Sequence, residues 1–206
     1  ISRVVKGGWH LAGGHGAFDP DRAIHDMAAF VEAGITTFDC ADIYTGVEAM
    51  IGQYRSTYPE HAKRTQVHTK FVPDLAMLPS VTAADAAASI ERSLKRLGLE
   101  RLDHVQFHWW DYGVPGYVEI GLALDRLRRQ GKIGSLGVTN FDVPRLRELC
   151  DAGVPVRSFE EQGQIILEAP DDRTASLVQQ LHGGWSRGER SWAKGAKPVP
   201  EGNNWR

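Results

Sequence analysis

Strand-like and helix-like patterns of apolar residues alternate along most of this chain. A short start, Val4 to Trp9, precedes DPDRAIHDMAAFVEAG at 19–34, whose apolar residues fall at helical spacing and which meets Gly34 as a stop. TTFDCAD at 36–42 then alternates with a period of two, the mark of a strand. GVEAMIGQYRSTYP predicts a helix ending before Pro59. TQVHTKFV predicts a strand, and TAADAAASIERSLKRLG a strongly amphipathic helix closed by Gly98. The same order continues through strand LDHVQFHWW, helix GYVEIGLALDRLRRQGK, strand IGSLGVTN and helix DVPRLRELCDAG. A weaker strand lies between Pro155 and Leu167, and TASLVQQLHGG predicts a short last helix.

Strands and helices that alternate over short connections build a parallel sheet from right-handed βαβ units, and the chain holds about six of them. The pattern places one domain over residues 1–181 and an irregular tail over 182–206. In that tail Gly, Pro and charge dominate, and tryptophans recur without a period.

Successive strand side chains point to opposite faces. Phe38 and Cys40 therefore oppose Thr37, Asp39 and Ala41. Val67, Thr69 and Phe71 oppose His68 and Lys70. Val105, Phe107 and Trp109 oppose His104, Gln106 and His108. Each strand thus offers one apolar face to helices and one polar face that ends in a charged or titratable residue. A barrel explains both, because helices cover its outside and inward residues at the C-terminal strand ends meet at its mouth. An open doubly wound sheet also binds ligands at strand ends, but it announces itself by G-x-G-x-x-G, which the early GGHG does not match. The expected fold is α/β, of (β/α)8 TIM-barrel type and incomplete.

Composition sets bounds on this picture. A chain of 206 residues with 42% hydrophobic residues and net charge −2 is ordinary globular material for one domain or slightly more. Basic residues are dispersed, which gives no footprint for nucleic acid or an anionic membrane surface. No apolar run approaches ~18 residues and no signal-peptide pattern opens the chain, so a cytoplasmic location is expected. Cys40 and Cys150 lie far apart in core-like patterns and are expected as reduced thiols.

An unpaired carboxylate in a buried strand is costly, so Asp39 implies a site. Asp39, Tyr44, Lys70 and His108 fall on consecutive units, at or just past strand ends. A phenol titrates near ~10, too high for efficient proton donation at neutral pH. A nearby ammonium lowers that value, and a carboxylate holds the ammonium charged and in place. Taken singly, Lys70 reads as a surface lysine, His108 as a packed histidine, Asp42 as a loop or cap residue, and Thr139–Asn140 as a turn and helix cap. Their conjunction at matching strand ends favours one site. A metal site built from His10, Asp39, His68, His104 and His108 is disfavoured. His68 and His104 lie lower on their strands than Lys70 and His108, and a lysine within the set repels a cation.

The motifs F-D-C-A-D-I-Y, H-T-K, F-H-W and V-T-N-F, in this order and spacing, resemble the aldo-keto reductase family from about Val4 to about Pro170. The resemblance implies Tyr44 as general acid/base, Lys70 and Asp39 as the groups that tune it, and His108 as the residue that orients the substrate. It implies NADP, as NADPH, for a cofactor, with Thr139 and Asn140 on the nicotinamide carboxamide. A glutamine of the next strand would join them; both Gln162 and Gln164 fit, and Gln162 is preferred. Gly8 and Trp9 take the first-strand position beside cofactor and substrate, and Trp109, Trp110 and Tyr112 wall the substrate side. The implied partner is a small carbonyl or alcohol, with no nucleic acid and no membrane.

A complete barrel needs eight units and about 250 residues, and an apolar seventh strand is not legible after His182. A truncation, or a splice or frame alteration of the C-terminal third, is the expectation that follows. It leaves a second reading beside the reductase: a partial barrel that binds or regulates without catalysis.

Overall fold

Seven strands follow one another across a single sheet in a computed structural model of the chain, which describes residues 1–13, 16–161 and 164–167. Strands β1 (Val5–Gly7), β2 (Thr37–Asp39), β3 (Gln66–Phe71), β4 (Leu102–His108), β5 (Ile133–Thr139) and β6 (Val156–Glu161) all pair in parallel. Helices α1 (Pro20–Glu32), α2 (Val47–Thr57), the short α3 (Pro59–Ala62), α4 (Ala83–Leu97), α5 (Tyr117–Arg129) and α6 (Val143–Asp151) separate them. The parallel strands curl into a half-barrel, an incomplete form of the expected (β/α)8 architecture.

The helix boundaries have local causes. Asp19 caps α1 by accepting the Asp21 and Arg22 N–H groups, and Pro20 takes the first helical position, where no N–H is needed. Thr82 and Asp85 form a capping box at the start of α4, and Gly98 ends it in the left-handed conformation at φ 64°. Gly52 of α2 lies against the main chain of α4, where a Cβ would fall on the Arg96 carbonyl.

Phe38, Val67, Phe71, Val105, Phe107, Leu136, Val138 and Phe159 are buried on the alternation face that packs under the helices. Among the described residues two carboxylates are buried in this outer layer and both are paired. Glu48 of α2, 1% exposed, accepts the Thr69 hydroxyl at 2.7 Å and the Arg96 guanidinium at 3.1 Å. Asp125 of α5, 1% exposed, meets the Arg128 and Arg129 guanidinium groups at 2.8 and 2.7 Å. Asp42, expected as a loop or cap residue, fastens two elements. It accepts the Val72 N–H at 3.1 Å and the Ser89 hydroxyl of α4 at 2.7 Å, and burial pushes its carboxyl up to about 7.

The sequence reading needs correction at two places. Residues 155–167 hold two strands, because β7 (Gln164–Leu167) returns antiparallel to β6. Two residues separate them, far short of the dozen or so that a parallel crossover requires. Two 3-10 helices, Trp9–Ala12 and Leu75–Ser80, were not anticipated. The expected helix at TASLVQQLHGG, the domain limit at 181 and the tail over 182–206 lie outside the described residues.

Candidate active site

The inner face of the half-barrel is polar from bottom to top. Ladder register sets Asp39 beside His68, His68 beside His104, Lys70 beside Gln106, His108 beside Thr139, and Thr139 beside Glu160. At the lower level the His68 and His104 rings lie 4.7 Å apart. His104 bonds the Ser135 and Ser158 hydroxyls at 2.7 Å each. Gly137 allows this approach, since a Cβ there would meet Ser158 Oγ and His104 Nε2. Burial lowers His68 to about 4 and His104 to about 3, so both rings are neutral at pH 7. Gln106 is fully buried, and both polar atoms of its carboxamide lack a partner among the described residues.

Above this level Lys70, 7% exposed, makes an ion pair with Asp39 and reaches the Cys40 carbonyl at 3.4 Å. Burial alone would lower the lysine. The Asp39, Glu160 and Tyr44 groups outweigh it, so its net shift is upward and the ammonium is firmly charged. Burial is likewise the largest influence on Asp39 and raises it, with Lys70 opposing.

Tyr44 follows β2 in the loop that leads to α2. Its ring lies 5.7 Å from Lys70 Nζ and 5.0 Å from the Trp9 ring, which meets it edge-on. The net effect on the phenol reverses the sequence expectation. Lys70 pulls its pKa down, but burial pushes it up by more, and Asp39 and Glu160 add to the rise. Gly8 anchors the same corner by donating its N–H to the Asp39 carbonyl at 2.8 Å. A Cβ on Gly8 would meet that oxygen and Val47 Cγ1 at 2.8 Å each.

His108 ends β4, and its ring packs edge-on against Trp110 at 4.4 Å. Nε2 of His108 is buried and has no hydrogen-bond partner among the described residues. Burial lowers this imidazole, while the Thr139 backbone and Glu160 oppose the shift. Thr139 is buried at the end of β5, and Asn140 follows it with φ 59°, an uncommon conformation for a residue other than glycine. Thr139 has a side-chain hydroxyl and Asn140 a carboxamide, so both bring hydrogen-bond donors and acceptors to the strand end.

Asp39, Tyr44, Lys70, His108, Gly8 and Trp9 therefore share one corner, with Thr139 and Asn140 beside it. Of the expected aromatic wall only Trp110 joins them. Its indole N–H donates to the Pro73 carbonyl at 2.8 Å, and the side chain is 47% exposed. Trp109 is buried on the helix side against Phe107 and Tyr117, because it falls on the apolar set of the β4 alternation. Tyr112 packs with Tyr117 and Phe141 and donates to the Asn140 carbonyl at 3.1 Å. Gln162 lies outside the described residues, and Gln164 stands on the return strand β7. Sequence reading missed Glu160, whose carboxylate stops 3.5 Å from Lys70 Nζ. Its even-numbered spacing with Ser158 was the available signal.

Among the described residues no helix is long and apolar enough to cross a membrane, and no group of three or more His, Cys, Asp or Glu side chains is arranged to hold a metal ion.

Comparison with known proteins gives one consistent picture. The model of the Aldo/keto reductase family matches residues 3–178. The 6-dehydroglucose reductase of Agrobacterium fabrum is 32% identical over 84% of this chain and 61% of its own length. The NADH-specific methylglyoxal reductase of Escherichia coli is 26% identical over 74% of this chain and 52% of its own. The crystal structure of a Bombyx mori aldo-keto reductase in complex with NADP superposes at a TM-score of 0.66. It covers 87% of this chain and 59% of the silkworm protein at 18% identity, a likeness of fold. The chain spans between half and two thirds of the length of these relatives.

Proposed function

Because the chain belongs to the aldo/keto reductase family, we propose that it carries the chemical half of a nicotinamide-dependent carbonyl reductase or alcohol dehydrogenase, with Tyr44 as the proton donor and acceptor. The observation that carries this reading is the convergence of Tyr44 and the Lys70–Asp39 ion pair at the mouth of the half-barrel, with His108 at the same end of β4. Lys70 holds positive charge near the phenol and favours loss of its proton; Asp39 keeps the ammonium in place. His108, with a proton on its unpartnered Nε2, donates a hydrogen bond to a carbonyl oxygen and orients it for Tyr44.

The hydroxyl of Thr139 and the carboxamide of Asn140 suit a nicotinamide carboxamide, which needs both a donor and an acceptor, so these residues are assigned to it. The dinucleotide contributes the hydride. NADPH is the proposed form, and NADH is the alternative that the name of the E. coli relative makes worth measuring. Ile43, Leu75, Met77 and Trp110 are exposed on the loops after β2, β3 and β4, which favours a carbonyl compound with an apolar portion over a fully hydroxylated one. A cytoplasmic setting is part of the same proposal.

Titration with NADPH and with NADH, followed by tryptophan fluorescence, tests the reading. Saturable micromolar binding and turnover of an aldehyde panel are expected, and Y44F should lose about 10²–10⁴-fold in turnover while still binding nucleotide. Full activity in Y44F would remove the mechanism. A folded protein that binds neither nucleotide would favour the non-catalytic partial barrel.

A further inference from the structure

Glu160 stands at the C-terminal end of β6, beside Thr139 in the ladder, and its main-chain carbonyl accepts the Asn140 N–H at 3.1 Å. Strand alternation turns its side chain to the inner face shared with Ser158, where the carboxylate is 13% exposed and 3.5 Å from Lys70 Nζ. Lys70 therefore stands between carboxylates of two strands that are not neighbours in the sheet: Asp39 of β2 and Glu160 of β6. The trio carries one positive and two negative charges. The surplus negative charge opposes proton loss from any acid nearby.

Distance makes the effect substantial. Glu160 is 3.5 Å from Lys70 Nζ, and Nζ is 5.7 Å from the Tyr44 ring centroid, so the carboxylate is within about 9 Å of the phenol. At an effective dielectric of about 20, a unit charge at that range moves a titration by about one pH unit. Among the described residues, the other ionisable groups that interact with Tyr44 or Lys70 are Asp39 on β2, Cys40 just past it, His68 on β3, and His104 and His108 on β4.

We propose that Glu160 is a positioning residue that clamps the Lys70 ammonium together with Asp39 and so limits how much of its charge reaches the Tyr44 hydroxyl. The consequence for chemistry rests on the reductase reading. A phenol that keeps its proton to higher pH extends upward the range in which it donates to a carbonyl, and narrows the range in which it accepts from an alcohol. The clamp itself does not rest on that reading and is measurable without nucleotide or turnover.

The measurement is a pH titration of ring-labelled tyrosine by carbon NMR, with Y44F identifying the Tyr44 signal, in wild type, E160Q and E160D. Glutamine keeps the shape of the side chain and removes its charge; aspartate keeps the charge and withdraws it by one methylene. The Tyr44 midpoint should fall by about one pH unit in E160Q and by less in E160D. At a fixed alkaline pH below both midpoints this is about a tenfold larger phenolate fraction in E160Q, which serves if the midpoints exceed the range of folded protein. Tyr54 and Tyr117, which have their own partners in Thr65 and Glu148, should titrate unchanged, whereas a general loosening of the fold would move them too. Should E160Q fail to fold, a downward shift in E160D carries the result. A Tyr44 signal that is unmoved or shifted upward in a folded variant overturns the proposal. Failure to bind nucleotide would end the reductase reading and leave this titration readable.

Discussion

Removing the Lys70 ammonium would leave Asp39 buried beside Glu160 with no cation between them. Breaking a buried ion pair from one side costs about 3–5 kcal/mol, chiefly because the surviving charge stays desolvated. K70M should therefore lower the urea unfolding free energy at pH 7 by about that amount. D39N added to it should restore part of the loss, since the amide carries no charge to strand. Strictly additive losses in the double-mutant cycle would show that the two groups do not interact. The inner ends of these strands were legible because a period of two, read from three strands, places Asp39, Lys70 and His108 on one side of the sheet. Trp109 and Trp110 show the limit of that reading. They are adjacent and alike in sequence, yet one belongs to the helix layer and the other to the mouth, and alternation alone separates them.

Helices α2 and α4 approach closely at a position that has no room for a side chain. A Cβ on Gly52 would fall on the Arg96 carbonyl, which is main chain of α4 and cannot turn aside. G52A gains helix propensity of about 1 kcal/mol but forces the two helices apart, and overpacking of this kind costs typically 1–3 kcal/mol. A net loss in the thermal unfolding temperature is expected, and a gain would show that the helices separate easily. Nothing in the sequence announces this contact, because a glycine inside a helical pattern gives no sign of what lies opposite. The ends of the elements were better marked. Asp19, Thr82 and Gly98 stop or start helices by hydrogen bonds made within a few residues, and such local chemistry is readable from one chain. Glu160 was lost for the opposite reason. Its strand was read as one long weak segment, and only the turn between β6 and β7 fixes where that strand ends and which pairs it makes.

At the scale of the whole molecule, the inner face makes the fold sensitive to acid. His68 and His104 are held neutral by burial, at about 4 and about 3, below the value of about 6.5 that an unfolded chain shows. Between those limits the unfolded state binds more protons than the folded one, so stability is present above pH 6.5 and is lost as pH falls toward 3. The loss is on the order of 3 kcal/mol for each ring. H68Q should flatten the fall of unfolding free energy between pH 6.5 and 4, and an unchanged slope would place the acid sensitivity elsewhere. The return of β7 along β6 has a different kind of consequence, one of competition. A separate polypeptide that offers a parallel strand to the outer edge of β6 finds Gln164–Leu167 already hydrogen-bonded there. A strand tethered by so short a turn competes at an effective concentration on the order of millimolar, so an intermolecular strand must bind that edge far more tightly than its own ladder alone allows. The hairpin thus works as a built-in rival to strand exchange, and it guards the edge beside Glu160.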